Sequence, residues 1–179
     1  MRQGRSGSRG FALSELLVAL ALVGMVLAAL AGLFEHGQRA YLTGVARLEA
    51  QQSARVAMER LTRELRGAGL DPTGAGFPAL VSPRPTGFTI QNDLNGDGVI
   101  AGNRETIAYS LTGRTLRQNA GGGAQPLIEG VESLVFTYLD GNGNVARTPG
   151  EIRTVVAALT VGSGAAAASL ITQVRLRNR

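Results

Sequence analysis

The sequence predicts an α+β protein in which a long amino-terminal helix, membrane-spanning and then amphipathic, packs on an antiparallel β-sheet head. Three observations carry that expectation. Residues 11–34 are apolar apart from a single acid, and residues 35–69 keep a helical repeat while becoming charged. From Thr86 onward, short runs of β-branched and aromatic residues alternate with glycine and asparagine turns. The expected organisation is a cationic leader over 1–10, a transmembrane helix over 11–34, an amphipathic continuation over 35–69 and a β-rich head over 70–179.

The first ten residues, MRQGRSGSRG, are polar and cationic, which favours a cytoplasmic location for them. The 24 residues from Phe11 to Phe34 suffice, as a helix, to cross a hydrocarbon core of about 30 Å. Within them Glu15 is the one carboxylate, and an ionised acid in such a segment costs about 2.5–3.5 kcal/mol at the helix centre and less near its end. A residue kept at that cost needs a partner or an escape to the headgroups. Ala29-Leu30-Ala31 before Gly32 also fits the small-x-small rule for ordinary signal removal, so a secreted product is a competing reading.

Leu48, Gln51, Ala54, Met58, Leu61, Leu65 and Ala68 recur at spacings of three and four, predicting one mostly apolar face. Around it, Glu59/Arg63 and Arg60/Glu64 stand at ion-pairing distance along a helix. A single helix from about Ser14 to Gly67 would extend about 80 Å. Gly67, Gly69 and Asp71-Pro72 end it, and the prolines at 72, 78, 83 and 85 predict a loop. Strands are expected in TGFTIQ, ETIAYSL, RTLRQ, VESLVFTYLD, EIRTVVAALTV and SLITQVRLR, with Tyr109, Phe136 and Tyr138 in the core or on a sheet face.

The formal charge of +5 owes three charges to Arg2, Arg5 and Arg9, so the head is not expected to bind nucleic acid directly. With no cysteine and one histidine, His36, the chain lacks thiolate chemistry and a histidine pair for a metal. No P-loop, nucleophile elbow or dinucleotide fingerprint is present, and no enzymatic activity is expected. One segment has the pattern of a cation loop. In Asp93-Leu94-Asn95-Gly96-Asp97-Gly98-Val99-Ile100, oxygen donors occupy positions 1, 3 and 5, glycine position 6 and a backbone carbonyl position 7. The closing glutamate is replaced by Arg104, with Glu105 one residue late. Two readings stand side by side: a calcium site built from Asp93, Asn95, Asp97, the Val99 carbonyl and Glu105, and a plain turn between strands. Asp140-Gly141-Asn142-Gly143-Asn144 is expected to be a hairpin turn.

Gly10-Phe11-Ala12-Leu13-Ser14-Glu15-Leu16-Leu17-Val18-Ala19-Leu20 resembles the class III signal of type IV pilins and type II secretion pseudopilins. The resemblance implies cleavage between Gly10 and Phe11 by a prepilin peptidase, N-methylation of Phe11 and a role for Glu15 in assembly register. Ala12 replaces the family's usual threonine. DLNGDGVIAGNRETIAYSL, GRTLRQ, LIEGVESLVFTYLDGNG and the terminal VRLRNR resemble the minor pilin and pseudopilin branch, PilW-like or J-like. That branch implies an inner-membrane, single-pass subunit with a periplasmic head, which helps initiate or cap a pilus or pseudopilus. Its partners would be other minor and major pilins or pseudopilins, the prepilin peptidase and the inner-membrane assembly platform. The competing readings are a secreted or membrane-anchored calcium-binding module and a static single-pass anchor.

Overall fold

Helix α1 occupies Leu13–Gly67, and the computed structural model describes residues 13–101 and 104–178. The chain divides into two units at Leu42/Thr43. In the first unit, no residue from 13 to 42 is buried, and leucine, valine and methionine side chains project on every side of the helix. A helix that is apolar all round needs a lipid or protein environment on all faces. Past the apolar run its surface turns polar, and Arg39 pairs with Glu35 one turn away.

In the second unit, α1 buries a narrow face formed by Ala50, Ala54, Ala57, Met58, Leu61 and Leu65. Three alanines at its start keep that face thin, which permits close approach, and larger side chains fill the interior beyond them. The face begins at Ala50 and Ala54; Leu48 is 67% exposed and Gln51 is also exposed, contrary to the stripe expected from sequence. Spacing alone could not separate two neighbouring helical rows. The surface ion pair also differs from expectation, with Arg55 bonding Glu59 at 3.5 Å.

Sheet A is an antiparallel meander of β1 (Leu80–Arg84), β2 (Gly87–Gln91), β3 (Thr106–Thr112), β4 (Thr115–Asn119) and β5 (Ala124–Ile128), in that spatial order. Sheet B contains β6 (Val131–Leu139), β7 (Thr154–Val161) and β8 (Ala168–Arg175), also antiparallel and in order. Strict alternation in β7 sends Val155, Ala157, Leu159 and Val161 inward, as expected of a sheet with one covered face. These side chains share one core cluster with Leu61, Leu65, Phe88, Tyr109, Leu116 and Phe136. Phe88 meets Phe136 edge to face at 4.8 Å between ring centres, joining the sheets. Polar stitches reinforce that junction. The Tyr138 hydroxyl lies 2.7 Å from the Arg84 carbonyl and 2.9 Å from that of Gly87, and Arg114 bonds Glu132 at 3.0 Å.

Two strands fall where the sequence predicts loop or gives no strand signal. β1 contains Pro83, places Ser82 at φ 50° and shifts register between Val81 and Arg84; β5 contains Pro126. Both lie at the edges of sheet A, where a missing N–H is tolerated. β7 starts at Thr154 because Pro149–Glu151 forms a 3-10 turn ahead of it. At the end of α1, Gly69 adopts φ +79°, and a Cβ there would lie 2.7 Å from the Cβ of Ala79. Asn178 donates to the Gly67 carbonyl at 3.0 Å, tying the carboxy-terminal segment to the last turn.

Leu61 is 1% exposed within this interface, so Leu61→Ala should cost about 2–5 kcal/mol, whereas Leu48→Ala should stay within about 0.5 kcal/mol. Urea denaturation of the full chain in detergent micelles, followed by the β-sheet circular dichroism signal, measures both.

Candidate functional site

Glu15 lies in the first turn of α1, where an acidic side chain is favoured by the unpaired amides and positive end of the helix dipole. It is exposed, with Leu13, Leu16, Leu17 and Val18 exposed around it. Gly10 and Phe11, the expected cleavage and methylation positions, lie outside the described residues. α1 includes an 18-residue stretch that is long and apolar enough to span a membrane and is unburied. A carboxylate in such a surface can recognise a cation presented by a second helix, because low dielectric makes the unpaired alternative costly. His36 is exposed on the same helix.

The residues of the proposed calcium loop are brought together, but their oxygens turn largely toward the loop's own amides. Asp93 is fully buried; its Oδ1 accepts from the Gly96 and Asp97 amides at 2.7 and 3.2 Å, and its Oδ2 from Gly98 at 2.9 Å. Thr73 adds a longer hydroxyl contact to Oδ2 at 3.4 Å. Asn95 donates to Asp97 at 2.8 Å, and Asp97 accepts from the Val99 amide at 2.8 Å. The Val99 carbonyl accepts from the Ala101 amide at 3.1 Å. Glu105, 1% exposed, receives the Leu94 and Ala101 amides at 3.3 and 3.2 Å. Among the described residues, no group of three or more aspartate, glutamate, histidine or cysteine side chains is arranged to hold a metal. A calcium ion at this loop would have to exchange part of that amide network for its own coordination.

Sequence reasoning placed the neighbouring Asp71 at the helix stop but missed the bonds that its carboxylate makes there. Its carboxylate accepts from the Gly76 amide at 2.8 Å and the Ala75 amide at 2.9 Å, closing the turn that follows α1. The signal was available in Asp71-Pro72-Thr73-Gly74, a pattern suited to an aspartate bonding the backbone that follows it. Asp140 does the same work in its turn, accepting from the amides of Asn142 and Asn144 at 2.8 and 2.9 Å before the chain pairs at Leu139 and Val145. The Gly76 amide chiefly holds Asp71 below the ordinary carboxylate range, and the Asn144 amide does so for Asp140.

Residues 5–31 match the prokaryotic N-terminal methylation motif. The matched segment contains Gly10, Phe11 and Glu15, together with most of the exposed apolar surface of α1. Motif and fold together support the type IV pilin and pseudopilin superfamily, and with it a pilin-like structural subunit. Comparison with curated proteins gives no match. In these pilin-like terms, the two aspartate-closed turns belong to the architecture of the head, while Glu15 belongs to the motif.

Because both aspartates have depressed values in the folded state, their contribution is present above the ordinary carboxylate value of 3.8 and is lost as pH falls through the folded values. Hydrogen exchange should therefore show Gly76 and Asn144 amides losing protection on acidification below that point. Asp71→Asn should remove the pH response at Gly76 while leaving that at Asn144.

Proposed function

We propose that the chain is a minor pilin or pseudopilin that helps initiate or cap assembly of a type IV pilus or type II secretion pseudopilus. The methylation motif at residues 5–31, which overlaps the start of an unburied apolar helix, is the observation that carries this reading. A prepilin peptidase would cut between Gly10 and Phe11, and the new amino terminus would be methylated. The subunit would wait in the inner membrane with its head in the periplasm before an assembly platform passes it into a filament. There its helix would pack against those of other pilins or pseudopilins.

Glu15 supplies register in this scheme. Processing puts a cationic amine at Phe11, four residues from the acid, and a neighbour displaced along the filament axis can bring its own amine to that carboxylate. An axial slip would leave both charges in a low-dielectric environment without each other, so the pair rewards one alignment more than it adds net affinity. The same pairing is irrelevant to a static anchor.

Glu15→Ala should insert into the membrane at the wild-type level, since it removes a charge from the apolar segment, and should be recovered from sheared filaments or the pseudopilus fraction at strongly reduced yield. Quantitative immunoblotting of membrane and filament fractions separates the two effects. Equal incorporation of the variant would contradict the register role.

A further inference from the structure

Among the described residues of the head, four strand edges are not directly covered by ladder partners in the two sheets, and three of them carry protection. β1 contains Pro83 and a register shift, and β5 contains Pro126. The outer side of β6 is engaged by other parts of the head: the Phe136 amide donates to the Pro85 carbonyl at 2.7 Å and the Val131 amide to that of Arg114 at 2.9 Å. The fourth edge is β8. Its eight residues, ASLITQVR, include no proline and no charge before Arg175, its pairing with β7 is regular from end to end, and Ile171 is 74% exposed. Among the described residues, its outer main-chain groups bond to no further element. Strands of this length and regularity are ordinarily blunted, because an open row of N–H and C=O groups is a template for another strand.

Beside this edge lies a groove of about 680 Å³ between β8 and the carboxy-terminal turns of α1. Leu170, Thr172 and Met58 line it with apolar and small polar surface, and Arg55, Arg63, Arg66 and Arg177 surround them. Glu59, the one acid among the described residues that line it, pairs with Arg55. Arg63, Arg66 and Arg177 form no ion pair with a described residue, so among the described side chains that line the groove four arginines stand against one glutamate, an excess of three positive charges.

We propose that the β8 edge and its arginine groove bind an extended acidic segment of another polypeptide, which joins sheet B as a fourth strand. Main-chain pairing to β8 supplies the docking contact, and alternate acidic side chains reach the guanidinium groups. A phospholipid headgroup could meet the arginines but could not satisfy a row of strand amides and carbonyls. A second copy of this chain is disfavoured by charge, since joining two β8 edges would bring like-charged grooves together. The inference concerns the head alone and holds whether or not the chain is cut at Gly10.

The test uses the full chain in uncharged detergent micelles and a fluorescent peptide of eight residues alternating glutamate and valine, matched in length to β8. The peptide should bind, slow hydrogen exchange across residues 168–175, and bind roughly tenfold more tightly than its glutamine-for-glutamate counterpart. The double change Arg63→Gln/Arg66→Gln should remove that preference, with Arg177→Gln as a second variant if the pair disturbs folding, while Arg117→Gln on sheet A should preserve it. No binding, equal binding of the two peptides, unchanged exchange in β8 or equal sensitivity to Arg117→Gln would overturn the proposal. So would protection of the groove by phosphatidylglycerol vesicles with none by the peptide.

Discussion

The burial of one thin face of α1 against two antiparallel sheets is the constraint on which the head depends. Ala54, Ala57, Leu61 and Leu65 are each at most 1% exposed, and they meet a core drawn from both sheets. Full burial of each leucine contributes about 1.5–3 kcal/mol relative to exposure, before the entropy of ordering is set against it. Alanine contributes less by area, but it controls distance. Replacing that small-residue row by larger side chains would push the helix away and weaken packing at the leucines, so size and hydrophobicity act together.

Chemistry changes along α1 in a way that matches two different demands. Beside the sheets, only a narrow face is buried and mostly charged and polar side chains occupy the remainder. From Leu13 to Phe34, apolar side chains occupy all directions, with Glu15 as the acid in that run. Such a surface is suited first to lipid and then to neighbouring helices of the same character. In lipid there is little hydrophobic gain from helix association, so packing and polar pairing must supply specificity. A single carboxylate near the helix start can supply a large share of it because so few polar groups compete.

The α+β architecture was legible because the helical repeat and the alternating strands have different periods, and both are strong in this chain. The edge strands were less so: Pro83 and Pro126 suppress the usual strand signal, and sheet edges tolerate proline without displaying that tolerance in sequence. Helical spacing identified Ala54, Met58, Leu61 and Leu65 but also admitted Leu48, since choosing between adjacent rows requires knowledge of what the helix packs against. In the Asp93 loop, composition identified the oxygen-bearing residues, while their hydrogen-bond partners depended on the folded backbone. Asp71 had a readable turn pattern, overshadowed by the proline after it. The methylation motif was the most legible functional feature because its residues act in a contiguous segment and need no tertiary assembly to be seen.

The proposed register pairing needs a mature chain that begins at Phe11, because that cleavage would supply the amine proposed to meet a neighbour's Glu15. Mass spectrometry of the amino-terminal peptide, taken from protein isolated from its native membrane and filament fractions, measures this directly. The expected mature chain starts at N-methylated Phe11. A mature start at Gly32 would indicate a secreted product without the helix, and retention of Met1 would indicate an unprocessed anchor; either result would contradict it.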